Sequence, residues 1–196
     1  MSTKTVTSLT NNTVKAVRAL HMRKEREESG LFLAEGLKIV IEAIDCGHAP
    51  KIVMYGPDAA DHPMLKKAAQ ACLKAGGEVI EVNREILEKV SRRDNPQAVV
   101  AVFKQVFTPL SAIAPESAPC WVAMQAVRDP GNLGTVIRTA DAAGCGGVIL
   151  VGDCVDPYSV EGVRATMGSI FAVKIAKATI PEFLAWRETW PGSVVG

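Results

Sequence analysis

Asn132, Gly134 and Arg138 lie in one string, Asn132-Leu133-Gly134-Thr135-Val136-Ile137-Arg138-Thr139-Ala140. Arginine carries a permanent positive charge and no readily lost proton. It can therefore position and stabilise an anion, but it makes an awkward base. Gly134 and Arg138 are four residues apart, so on a helix Arg138 projects above a position with no side chain. That leaves room for a ligand or for another backbone. Taken singly, Asn132 reads as a helix cap and Arg138 as the partner of a surface carboxylate. Taken as one string behind Asp129-Pro130-Gly131, they read as a site.

The flanking residues supply the frame. Cys120–Met124 is a short apolar run, long enough for a buried strand. Asp129-Pro130-Gly131-Asn132 is a turn: proline presets φ, glycine takes strained angles, and asparagine can cap a helix. Leu133–Ala143 reads as that helix, with Val136, Ile137, Ala140 and Ala143 on or near one face, and Gly144 is its stop. Gly147–Val151 is the next buried strand. Two parallel strands with a right-handed crossover are expected. In open α/β sheets ligands bind at the C-terminal ends of such strands.

Asn-x-Gly-x-x-x-Arg-x-Ala, behind a strand and Asp-Pro-Gly, resembles the first motif of the SpoU (TrmH-like) RNA 2′-O-ribose methyltransferases of the SPOUT superfamily. The likeness continues through Asp141-Ala142-Ala143-Gly144, Asp156-Pro157-Tyr158 and Arg164-Ala165-Thr166-Met167-Gly168-Ser169-Ile170-Phe171. The resemblance implies an α/β protein with two parts. One is an N-terminal RNA-binding domain similar to a small ribosomal-protein fold, over 1–104, opened by Asn11–Ile44. The other is a parallel-sheet domain of the knotted SPOUT type over 120–196, with 105–119 as linker. It implies methylation of a ribose 2′-hydroxyl, in rRNA more than tRNA, with S-adenosylmethionine as cofactor. Asn132 and Arg138 are then catalytic, and Gly168 lies on the cofactor side. Lys15, Arg23, Arg26 and Arg128 are the candidate RNA contacts, although by itself the charged run Arg23–Glu28 reads first as a solvated helix end with i,i+4 pairs. The protein is then a homodimer, for which the sequence offers Phe171, Trp186 and Trp190 as apolar anchors.

Two departures from the family pattern matter. Ser159-Val160-Glu161 stands where relatives often have Asn-Pro-Lys before a helix. The later Gly-x-Glu-x-x-Gly motif and the Ser/Asn-rich segment that threads the knot are not in these 196 residues. The SPOUT domain is therefore expected to be incomplete, and this chain alone to be an inactive fragment of an active protein. Two other readings stay open. A non-enzymatic RNA-binding protein would use the second half as a scaffold, although aromatic content of 5% argues against base stacking on an aromatic sheet. A Rossmann-type nucleotide enzyme is disfavoured, because Gly131 and Gly134 do not make Gly-x-Gly-x-x-Gly.

The remaining sequence sets the context. A hydrophobic share of 48% and a charged share of 22% suit a soluble globular chain, and the formal net charge of +1 announces no nucleic-acid binder. Five cysteines without a Cys-x-x-Cys pair, and three scattered histidines, make no zinc pattern. They read as buried thiols in a reducing compartment, with no metal. No secretory signal or membrane-length apolar run is visible, so a cytoplasmic location is expected. The N-terminal half alternates helices over 11–28, 37–46, 63–75 and 83–91 with strands over 31–34, 51–55, 78–82 and 98–103. Prolines 109, 115 and 119 then mark a boundary. Beyond the motif, a helix from Asp156 to about Ala165, a strand over Ile170–Ile175 and a helix opened by the capping box Thr179-x-x-Glu182 are expected. Ser193–Gly196 reads as the beginning of another strand.

Overall fold

A computed structural model describes residues 4–196. The chain divides into two compact units, one running up to Gln105 with Tyr158–Val160 added, the other made of Val106–Pro157 and Glu161–Gly196.

The first unit is a five-stranded mixed sheet with helices. Its strands are β1 (Lys4–Val6), β2 (Leu31–Glu35), β3 (Ile52–Tyr55), β4 (Glu78–Val82) and β5 (Val99–Lys104), in the order β1-β4-β3-β5-β2. β1, β4 and β3 run parallel, while β5 is antiparallel to both β3 and β2. The helices are α1 (Asn12–Ala19), α2 (Arg23–Ser29), α3 (Leu37–Asp45), α4 (Pro63–Lys74) and α5 (Arg84–Ser91). Val14, Val17 and Leu20 of the first helical segment are buried with Ile80, Val82, Ile86 and Val90, as their spacing predicts. Ala16 stays exposed.

The single helix expected from Asn11 to Glu28 is in fact two. Asn11 caps α1 by accepting from the Thr13 and Val14 amides at 2.9 and 3.3 Å. The chain then breaks at Leu20–Met22. His21 Nε2 bonds the Val90 carbonyl oxygen at 2.7 Å, and the Arg26 guanidinium donates to the Leu20 and His21 carbonyls at 2.8 and 3.0 Å. Side chains thus take over carbonyls that a continuous helix would satisfy itself.

The second unit is a three-stranded parallel sheet, β6 (Val122–Gln125), β7 (Gly147–Val151) and β8 (Lys174–Ala178), in sequence order. Its helices are α6 (Pro130–Ala142), α7 (Val160–Thr166) and α8 (Ile180–Glu188). β7 is buried at every residue, as a central parallel strand should be. Ile149 and Val151 join Ile113 and Ala176 in one core, against which Trp121, Phe183, Trp186 and Trp190 pack. α6 packs on β7 through the buried Leu133, Ile137 and Ala140.

Four local expectations change. α6 starts at Pro130, three residues early, because Asp129 and not Asn132 is its N-cap. The stretch read as a strand from Ile170 opens as a 3-10 turn, Ser169–Phe171, and the strand begins only at Lys174. A few buried apolar residues look alike in a turn and a strand. The helix expected from Asp156 begins at Val160, and residues 193–196 have no regular structure. The expected capping box is present: Thr179 Oγ1 accepts from the Glu182 amide, and Glu182 Oε2 accepts from the Thr179 amide at 2.7 Å. The Thr179 amide, and after it the Thr179 hydroxyl, donate to the Glu182 carboxylate and hold it below its ordinary range.

Among the five thiols only Cys72 is buried. It donates to the Glu78 carbonyl, and burial pushes its pKa up to about 11. Among the described residues no helix is long and apolar enough to cross a membrane.

Candidate active site

The site is built on α6, which leaves the C-terminal end of β6. Asp129 Oδ1 accepts from the Asn132 amide at 2.6 Å, and Pro130 fills the first helical position, where no amide is needed. Ala126, just after β6, has φ of 51°, a left-handed conformation that costs a non-glycine residue about 1 kcal/mol. Its amide is held by the Val151 carbonyl at 3.1 Å. The turn leading to the motif helix is therefore tied to the end of the neighbouring strand.

Gly134 settles which neighbour its missing side chain admits. A Cβ there would lie 2.3 Å from the Ala165 Cβ and 2.8 Å from the Ala165 carbonyl carbon. The glycine lets α6 and α7 touch backbone to backbone, so the space holds this chain and not a ligand.

One turn on, Arg138 is exposed on the outer side of α6. It lines an open groove of about 540 Å³ with Thr135, Thr139, Asp141, Ala142 and Ser169. No ion pair or hydrogen bond joins the Arg138 side chain to another described residue, Asp141 included. The surface-carboxylate partner of the simpler reading is thus absent, and a cationic fork faces solvent. The threonine hydroxyls beside it are turned inward: Thr135 donates to the Gly131 carbonyl and Thr139 to the Thr135 carbonyl, both at 2.9 Å. The groove can hold an anion against the Arg138 guanidinium, a donor group among its lining side chains whose hydrogens are not taken by another described residue.

The structure does not bring all the expected residues together. Asn132 is exposed but does not line the Arg138 groove, since six residues along a helix turn the side chain about 120° away. Gly168 is buried at φ 110° and opens the turn that delivers Ser169 to the groove. Thr135, Thr139 and Ser169 were not singled out from sequence. Thr135 was findable, because it precedes Arg138 by three residues and so shares its side of the helix.

Of the expected RNA contacts, Lys15 is exposed on α1, and Arg23 is exposed and paired with Glu27 at 2.7 Å. Arg128 is exposed and paired with Asp153. Arg26 departs from expectation: it is only 4% exposed and its guanidinium is spent on the carbonyls of the α1–α2 corner. Phe171 is likewise buried, while Trp186 and Trp190 are half-buried in an aromatic cluster with Phe183.

An α/β unit with a parallel sheet, its motif helix starting at a strand's C-terminal end, has the architecture of the SPOUT-type methyltransferases. Residues 119–189 match the SpoU rRNA methylase family, and residues 11–101 match the MRM3-like substrate binding domain. The AdoMet-bound rRNA methyltransferase from Sinorhizobium meliloti superposes with a TM-score of 0.88 at 49% identity, over 95% of this chain and 69% of that one. The SpoU methyltransferase AviRb from Streptomyces viridochromogenes, in complex with AdoMet, gives 0.78 at 26% identity, over 91% and 68%. Among curated relatives, the 23S rRNA (guanosine(2553)-2′-O)-methyltransferase RlmP of Bacillus subtilis is 29% identical, over 92% of this chain and 68% of that protein. The human mitochondrial rRNA methyltransferase 3 is 31% identical, over 83% and 39%. The chain belongs to the SpoU family of rRNA methylases.

Proposed function

We propose that this protein takes part in methylating a ribose 2′-hydroxyl of ribosomal RNA, with S-adenosylmethionine as methyl donor. The observation that carries the reading is Arg138, a guanidinium with no partner among the described residues, exposed in a groove on the motif helix of a SpoU-family fold. The relatives' names supply the substrate class. The cofactor provides an already activated methyl group. What this chain supplies is placement: the planar fork of Arg138 holds the phosphate next to the target ribose by paired, charge-assisted hydrogen bonds. Once the hydroxyl has lost its proton, the same positive charge stabilises the alkoxide. Arg138 does not itself take the proton, because guanidinium stays protonated. Gly134 holds α6 against Ala165 and thereby sets where Arg138 stands. Incorporation of labelled methyl groups from S-adenosylmethionine into ribosomal RNA, mapped to a 2′-oxygen, tests the assignment. Labelling confined to base atoms would refute it.

Residues 1–104 are the RNA-holding part in this reading, with Lys15 and Arg23 as surface cations. Residues 120–196 carry the methyl-transfer site, joined through 105–119. Arg128 reaches RNA only by exchanging Asp153 for phosphate, and Arg26 is withdrawn as a contact. Asn132 acts on the ribose side independently of Arg138. The enzyme is cytoplasmic in this reading, and the working form is a homodimer, for which the half-buried Trp186 and Trp190 are the remaining apolar anchors. A monomer in sedimentation at micromolar concentration, with full activity, would remove the dimer.

The groove at Arg138 does not by itself fit S-adenosylmethionine. It is open and lined by one cation, one carboxylate, hydroxyls and a single methyl side chain. A ligand of that size needs most of its surface enclosed and an apolar slot for its base. Gly168 contributes a buried turn and no such slot. A polypeptide of these 196 residues is therefore expected to bind the cofactor weakly and to be inactive alone. Titration calorimetry is the check, and clear micromolar binding would show that the described residues suffice.

A further inference from the structure

Cys120 and Cys145 are 25 residues apart in the chain, yet their sulfurs lie 2.9 Å apart. The backbone is tied at the same place, with the Gly146 amide donating to the Cys120 carbonyl at 2.9 Å. Cys120 is exposed at the entry to β6, and Cys145 is half-buried in the turn between α6 and β7. The neighbouring Trp121 ring is laid over Gly146 and Gly147, where an added Cβ would meet it at 2.5 and 2.4 Å. Both backbone segments are therefore held in place independently of the sulfurs. A disulfide needs an S–S separation of about 2.05 Å, so closure shortens this one by less than about 1 Å.

We propose that Cys120 and Cys145 form a reversible disulfide by exchange with a small-molecule disulfide such as oxidised glutathione. The exposed Cys120 thiolate attacks one sulfur of the oxidant, whose S–S bond breaks and releases one glutathione thiolate. Cys145 then loses its proton to solvent and attacks the Cys120 sulfur. The second glutathione thiolate leaves, and both released thiolates take up protons. Two electrons pass from the cysteine pair to the oxidant, which becomes two thiols. Before oxidation the pair is stable as thiols, since its mutual hydrogen bond and then burial raise the Cys145 pKa.

The consequence falls on the methyl-transfer segment. The cross-link closes a ring over residues 120–145, which contains β6, the Asp129 turn and α6 with Arg138. Restricting that ring in the unfolded chain stabilises the folded one. This inference rests on the positions of the two sulfurs and does not depend on the methyltransferase reading.

The test equilibrates the native chain with oxidised glutathione and counts thiols after denaturation. The chain has five cysteines. Three titratable thiols are expected, with a digest showing one peptide pair linked through Cys120 and Cys145. Five remaining thiols, or a link between any other pair, would overturn the proposal. Cys145→Ser should leave a stable glutathione adduct on Cys120, because the resolving sulfur is gone, and absence of that adduct would count against Cys120 as the entry point. The oxidised chain should melt several degrees higher, reversibly with reductant, and an unchanged melting temperature would overturn the bracing of the 120–145 ring.

Discussion

Arg138→Lys is expected to lower turnover of the active enzyme by roughly 10²- to 10³-fold, about 3–4 kcal/mol of lost transition-state stabilisation. Lysine keeps the charge and most of the length. It loses the planar pair of donors that fixes a phosphate in one orientation. If Arg138 served only as a source of positive potential, the substitution would cost little. Folding should hardly register the change, because Arg138 is exposed and has no partner within the described residues. Surface substitutions of that kind usually stay within about 0.5 kcal/mol. Single-turnover rates measured beside a thermal melt separate the two effects. Near-normal turnover would remove Arg138 from the chemistry. A large loss of melting temperature would show that it supports the fold instead.

The second large effect is expected at Gly134. In an exposed helix, Gly→Ala stabilises by about 1 kcal/mol. Here the sign should reverse. The new methyl carbon would sit 2.3 Å from the Ala165 Cβ and 2.8 Å from its carbonyl carbon, whereas carbon atoms pack best at about 3.5–4.0 Å. One of those neighbours is backbone, so α6 and α7 must separate. Gly134→Ala should cost roughly 1–3 kcal/mol, and Gly134→Val more. Activity should fall as well, because α6 carries Arg138 while Ser169 lies on the segment that follows α7. Denaturant unfolding of the two variants measures the effect. A more stable Gly134→Ala protein would mean that α7 gives way freely. Unchanged stability with lost activity would restore the ligand reading of that space.

Much of the fold was readable from local signals. Thr179 caps the helix it was expected to cap, Asn11 and Asn83 cap α1 and α5, and Gly144 stands in the left-handed conformation just beyond α6. Such features involve a few neighbouring residues and short-range hydrogen bonds, so they are legible without tertiary information. β7 was legible because a strand buried on both faces must be apolar throughout. The errors fall where a distant group decides. The break between α1 and α2 depends on Val90, which is far away in sequence and takes His21. Arg26 looked like one more surface cation in a charged run, and only the fold shows that its guanidinium points inward at carbonyls.

The site divides along the same line. By itself the sequence determined the family, the motif helix and the presence of Arg138 on it, because these depend on residue identity and helical spacing. It left open whether Gly134 made room for a ligand or for backbone, and whether Arg138 had a carboxylate partner. It also left undetected that Cys120 and Cys145 meet. Those three answers are distances between segments separated in the chain, set by how α6 packs on α7 and how β6 pairs with β7. Only the tertiary structure decided them, because packing and not local propensity determines which segments share a surface.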